Sequence, residues 1–160
     1  MTRFELKLIG AGFARSLTNL MVLAALLISA SAQARIDGVP GTSFALTASE
    51  GYISIADGGS VYSWGYSLDG QMQLPGPTLI VTAGQLVTVT LTNGLPAAAG
   101  NVSIVFPGQD VSISTTDQGV QGELTHEAPS GGTVTYSFTA SNPGTYQYHS
   151  GTQPDLQVEM

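Results

Sequence analysis

The 160-residue chain contains no cysteine. That removes disulfides, thiolate metal sites and cysteine nucleophiles in one step. Bases are nearly as scarce. All four of them (Arg3, Lys7, Arg15 and Arg35) lie at or before position 35, and none follows. Ten of the eleven carboxylates fall in residues 36–160, so that stretch carries a formal charge of 0 − 10 = −10. Nucleic-acid binding draws on Lys and Arg to neutralise phosphates, and this body has none to offer. Anionic membrane surfaces and phosphorylated ligands are disfavoured for the same reason. The main apolar run, residues 20–30, has eleven positions, well short of the roughly 20 that a spanning helix needs. What is present is a 42% apolar share, enough for one core in a chain of single-domain length.

Residues 1–34 have the three-part layout of an export signal. Arg3, Lys7 and Arg15 supply a basic opening, the apolar run follows, and Ser31-Ala32-Gln33-Ala34 places Ala at both positions of an A-x-A cleavage site. The layout predicts cleavage after Ala34 and export by the general secretory route, to the periplasm or the medium. No stable membrane anchor would remain. A mature chain beginning at Arg35 would carry +1 − 10 = −9.

Beyond Arg35 the hydrophobic period is two. Phe44, Leu46 and Ala48 alternate with Thr47 and Ser49, and Ile53 and Ile55 flank Ser54 ahead of an Asp57-Gly58-Gly59 turn. Val87, Val89 and Leu91 alternate with threonines up to Asn93-Gly94, and Val134, Tyr136 and Phe138 do the same up to Asn142-Pro143-Gly144. These read as half-buried strands punctuated by turn residues. Residues 102–106 and 145–149 read as two more. Residues 115–132 lack alternation and read as a long connecting loop, either functional or an ordinary cross-over. Seven to nine short strands at this spacing predict an all-β fold, a sandwich or a barrel.

Three segments carry a family resemblance. Leu74-Pro75-Gly76-Pro77-Thr78-Leu79-Ile80-Val81, then Ala83-Gly84-Gln85-Leu86-Val87-Thr88-Val89 and Leu91-Thr92-Asn93, resemble the opening of a multicopper oxidase. Gly131-Gly132-Thr133 through Phe138, followed by Asn142-Pro143-Gly144-Thr145-Tyr146-Gln147-Tyr148-His149-Ser150, resemble the end of the same first, plastocyanin-like domain. The resemblance implies a cupredoxin-like Greek-key β-sandwich over residues 35–160, copper as cofactor, oxidoreductase chemistry, and further cupredoxin domains or a second chain as partners. In Gly144-Thr145-Tyr146 the tyrosine hydroxyl is expected to bond back across a corner of the Greek key. The family closes its sandwich with a last strand beyond this motif, which is not found by residue 160. An open edge with unpaired backbone groups, inviting self-association, is therefore expected.

The ligand pattern is where the resemblance fails. The family's first domain supplies four His to a three-copper cluster, two in a His-x-His and two in a His-Ser-His. Val105 and Pro107 stand at the first pair of positions, and Gly151 at the fourth. Only His149 remains. Val, Pro and Gly offer no side-chain donor, and a mononuclear blue site needs a Cys. The resemblance thus implies a copper-binding scaffold without a complete copper centre and without activity as an isolated chain. A metal-free binding or assembly module is the alternative. His149 itself reads either as a residual copper ligand, alone or completed by another chain, or as a strand-end residue bonded to nearby backbone. His126 between Glu123 and Glu127 suggests a weak metal or acid–base group, or a solvated loop. A His149-Ser150-Asp155 triad is suggested only by proximity in sequence. Met72 and Met160 are soft thioethers that read more simply as packing residues. Tyr62, Trp64 and Tyr66 form an aromatic cluster in one hairpin, read as core and rim packing or as a ligand face. Asn101-Val102-Ser103 fits a glycosylation acceptor.

Overall fold

Phe44, Leu46 and Ala48 point to one side of a long strand, β2 (Ser43–Ser54), and are buried there. The computed structural model describes residues 38–114, 118–157 and 160, so residues 1–34, read as an export signal, lie outside the described residues. β2 follows a short β1 (Val39–Pro40) and turns back into β3 (Ser60–Ser67). The turn is the expected one. Gly59 N–H donates to the Asp57 carboxylate at 2.9 Å, and Gly58 takes a positive φ of 85° that a side chain would strain. β4 (Leu79–Ile80), β5 (Leu86–Asn93), β6 (Ser112–Ile113), β7 (Val120–Gln121), β8 (His126–Glu127) and β9 (Thr133–Thr139) complete the strands. The described helical content is a single 3-10 turn, Ala97–Ala99.

One five-stranded sheet dominates, in the order β3-β2-β5-β9-β6. β2 and β5 run parallel, with Phe44 opposite Val89 and Leu46 opposite Leu91, while the other pairs are antiparallel. Chain parity puts Val87, Val89 and Leu91 on the same face as Val134, Tyr136 and Phe138, and all six are buried. The other face carries Thr88, Thr90, Thr135 and Ser137, whose hydroxyls meet across the strands (Thr90 to Thr135 at 3.2 Å). The second layer is thinner. It comprises the β1/β4 ladder and the extended stretches around Val102, Ile104, Phe106 and Tyr148, which close on the sheet's apolar face.

Four expectations are corrected here. Residues 102–106 and 145–149 are not ladder strands: they make isolated bridges, Val102 with Ala128 and Val105 with His149. Residues 115–132 are not one open loop, because β7 and β8 pair as a small hairpin within them, Val120 opposite Glu127. Asn93, read as a turn residue, is instead a buried clamp. Its amide donates to the carbonyls of Gly100 (2.9 Å) and Ala128 (3.0 Å), and its oxygen accepts from Leu95 N–H (3.1 Å). Tyr146 bonds back only locally, to the Asn142 carbonyl at 3.4 Å. The long-range ties come from other tyrosines: Tyr66 to Ser103 O (2.6 Å), Tyr136 to His126 O (2.7 Å) and Tyr148 to Pro77 O (2.6 Å).

A groove of about 670 Å³ runs between residues 74–83 and 142–148, with Tyr66, Phe106 and Phe138 of the core on its floor.

Burial raises the phenols of Tyr66 and Tyr148 above their ordinary value of 10.0, Tyr148 to about 12. The folded state therefore keeps protons that the unfolded chain releases from about pH 10 upward. Stability from these two groups is complete below that pH and is lost as pH rises through the folded values. Thermal melts are expected to hold steady from pH 7 to 9 and to fall progressively from pH 10, with a shallower fall in Tyr148→Phe. A midpoint unchanged to pH 11.5 would contradict the burial.

Candidate functional site

The positions singled out as ligand sites do converge. Val105 N–H donates to the His149 carbonyl at 2.8 Å, and His149 N–H returns the bond to Val105 at 3.3 Å. Gly151, two residues on, donates its N–H to Ser103 Oγ at 3.2 Å. Pro107 is exposed at the end of the same stretch. The backbone thus brings 105, 149 and 151 together at one rim of the sandwich, as a shared imidazole site would require.

The side chains there do something else. A Cβ built on Gly151 would lie 2.5 Å from Val105 Cγ2, 3.1 Å from Ser103 Oγ and 3.5 Å from Leu124 Cβ. The valine at one former ligand position fills the space that a side chain at another would occupy. Around it, polar groups satisfy one another. Ser103 Oγ and Thr152 Oγ1 are 2.8 Å apart, and Thr152 Oγ1 donates to Glu127 Oε1 at 2.9 Å. Asn101 Nδ2 donates to Glu127 Oε2 (3.0 Å), and Gln157 donates to Asn101 O (2.8 Å) while accepting from Ser150 Oγ (2.6 Å). This network fastens residues 150–157 onto residues 101–103. Sequence reasoning missed it, because its members are far apart in the chain and follow no period.

His149 is half-buried, and its Nδ1 lies 2.8 Å from the Ser150 carbonyl. A carbonyl only accepts, so Nδ1 carries the proton of this bond, and in the matching neutral tautomer the lone pair is on Nε2. That is how a protein orients an imidazole toward a metal. The ring is bonded to Ser150 and not to Asp155, so the triad suggested by sequence does not form. His126 lies in β8, where its backbone carbonyl accepts from Tyr136, and among the described residues no three His, Asp or Glu side chains gather into a metal-holding group. Met160 packs into the core, and Met72 lies against Gly51 and Gly65. The side-chain nitrogen of Asn101, the atom glycosylation would use, is engaged by Glu127. The aromatic cluster divides. Tyr66 is core, whereas Tyr62 is 46% exposed and Trp64 half-buried.

The residues present therefore do not fit a multinuclear copper cluster. One position of four carries a donor, and the space beside it is packed by hydrocarbon. Gly151→Ala tests that packing. It is expected to cost about 1–3 kcal/mol through overpacking against Val105. The cost should shrink in a Val105→Ala background, where the crowding methyl is gone. Equal costs in both backgrounds, from urea melts, would contradict the filling.

The comparisons with known proteins agree with the scaffold. The model of the multicopper oxidase family matches residues 48–159. Laccase-3 of Botryotinia fuckeliana is 37% identical over 76 residues, covering 48% of this chain and 16% of its own length. L-ascorbate oxidase of Brassica rapa subsp. pekinensis is 38% identical over 77 residues, covering 48% of this chain and 13% of its own. The chain thus spans less than a fifth of these curated relatives. Among solved structures, a multicopper oxidase variant from the hyperthermophile Aquifex aeolicus shares the fold with a TM-score of 0.56 at 18% identity, over 78% of this chain and 26% of that one. Lac15 from a marine microbial metagenome gives 0.55 at 22%, over 72% and 29%. The fold is cupredoxin-like, and the chain belongs to the multicopper oxidase family.

Proposed function

We propose that this chain is an exported plastocyanin-like domain that serves a multicopper oxidase assembly as scaffold, with His149 as its one imidazole at a ligand position. Copper is the cofactor the family implies. Among the described residues no complete site for it is formed, and the chain alone is expected to lack oxidase activity. The observation that carries this reading is the contact of Val105 with the space at Gly151, beside a His149 ring whose Nε2 is left as a lone-pair donor. Further cupredoxin domains, in the same chain or a second one, would supply the remaining donors. The alternative, a metal-free binding module, keeps the same sandwich and takes His149 as structural.

Copper(II) titration followed by electron paramagnetic resonance separates the two. A single weak signal per chain, lost in His149→Ala while the melt is retained, is expected. A signal unchanged in His149→Ala removes the imidazole from the site, and no signal at all favours the metal-free module.

Two companion readings rest on other features. The layout of residues 1–34 supports cleavage after Ala34, and the groove floored by Phe106 and Phe138 supports self-association along this seam. Export of protein with an amino terminus at Arg35, eluting as a concentration-dependent dimer, is expected. An intact leader or a strict monomer would count against the respective reading.

A further inference from the structure

β2 outruns its sheet. It pairs with β5 only from Ser43 to Ala48, but with β3 from Thr47 to Ser54, so its far half is a two-stranded ribbon. A ribbon of two strands is marginal in water unless its side chains hold each other or a partner. On one face Glu50 stands opposite Trp64, and Tyr52 opposite Tyr62. Trp64 Nε1 donates to Tyr62 Oη at 3.0 Å, and Tyr62 O–H donates to Glu50 Oε2. Tyr52 meets Tyr62 edge-on with ring centres 5.6 Å apart, and is itself 73% exposed. Two exposed tyrosine rings, the half-buried Trp64 beside them and one oriented carboxylate therefore share this face. The other carboxylate oxygen, Oε1, has no partner among the described residues.

The charge pattern indicates what fits there. Residues 36–160 hold ten carboxylates and no Lys or Arg, so no cation of this stretch can neutralise Glu50. π-Faces attract cations, and a carboxylate held at the ring edge adds a directed acceptor. A guanidinium suits both, being planar for stacking and forked for hydrogen bonding, whereas an ammonium is a compact point charge. We propose that the Glu50–Tyr52–Tyr62–Trp64 face of the ribbon is a docking site for an arginine side chain on a protein partner. Such a contact would cap the ribbon and orient the partner on the sandwich.

Trp64 is the sole tryptophan, so the site carries its own fluorophore. The full chain is titrated at low salt with acetyl-Arg-Gly-Arg-amide, acetyl-Lys-Gly-Lys-amide and maltotriose. A saturable Trp64 response to the arginine peptide is expected, weaker by about threefold or more for the lysine peptide and absent for the sugar. Added salt should weaken it. Glu50→Gln removes one of eleven carboxylates, yet is expected to lower affinity by about tenfold; Tyr52→Phe, which keeps the ring, should leave it unchanged. Equal affinity in Glu50→Gln and the unmodified chain would reduce the response to general charge attraction and overturn the site. A saturable response to maltotriose would overturn it in favour of a carbohydrate platform, and no saturation with any probe would overturn it outright.

Discussion

Replacing Phe106 with alanine is expected to cost about 3–5 kcal/mol, the range for removing a large ring from a packed core. Phe106 joins the two layers. Its ring centre lies 5.0 Å from that of Phe138, 5.8 Å from Tyr136 and 6.1 Å from Tyr148. Phe138 and Tyr136 belong to β9 of the main sheet, whereas Phe106 and Tyr148 come from the thin layer, which is held by isolated bridges. With so few ladder hydrogen bonds in that layer, ring packing carries most of its attachment. Domains of this size have total stabilities of about 5–15 kcal/mol, so the loss is a large fraction of the whole. A urea midpoint lowered in proportion, with the slope retained, is the expected reading. A loss below about 1 kcal/mol would mean that the layers are held together elsewhere.

Tyr136→Phe removes a single oxygen, and is nevertheless expected to cost about 2–4 kcal/mol, since two backbone groups lose their partner. The hydroxyl accepts from the buried Ile104 N–H at 3.1 Å and donates to His126 O at 2.7 Å. It thereby ties β9 both to residues 102–106 and to the β7/β8 hairpin. The ring and its packing survive the substitution, so the effect isolates the hydroxyl. Amide exchange should report it locally, as faster exchange at Ile104. Unchanged protection there would show that the bond contributes nothing.

These two residues also show what the sequence made legible. Alternation identified β2, β5 and β9 and their inward side chains, because period-two burial on a sheet is a direct consequence of the pleat. Residues 102–106 were read as a strand too, which implied a ladder that the backbone does not form. Side-chain burial and ladder pairing are separate physical facts, and alternation reports only the first. The β7/β8 hairpin escaped notice for the opposite reason: Val120 and Gln121 are exposed, so the pairing leaves no hydrophobic signature. Asn93-Gly94 has turn composition and supplies a clamp, a role set by the carbonyls of Gly100 and Ala128 folding over it. At the site, positions 105, 107, 149 and 151 were legible only through the family resemblance. The packing of Val105 into the space at Gly151 was not, since nothing in one sequence states which side chains meet.

Copper content per chain is the most direct test of a metalloenzyme scaffold emptied of its donors. The protein would be equilibrated with excess copper(II), stripped of loosely held ions by gel filtration, and its metal and polypeptide quantified together. No more than one copper per chain is expected, falling to none in His149→Ala. Three coppers retained by a single chain would contradict the claim, because Val105, Pro107 and Gly151 offer no side-chain donor with which to hold them.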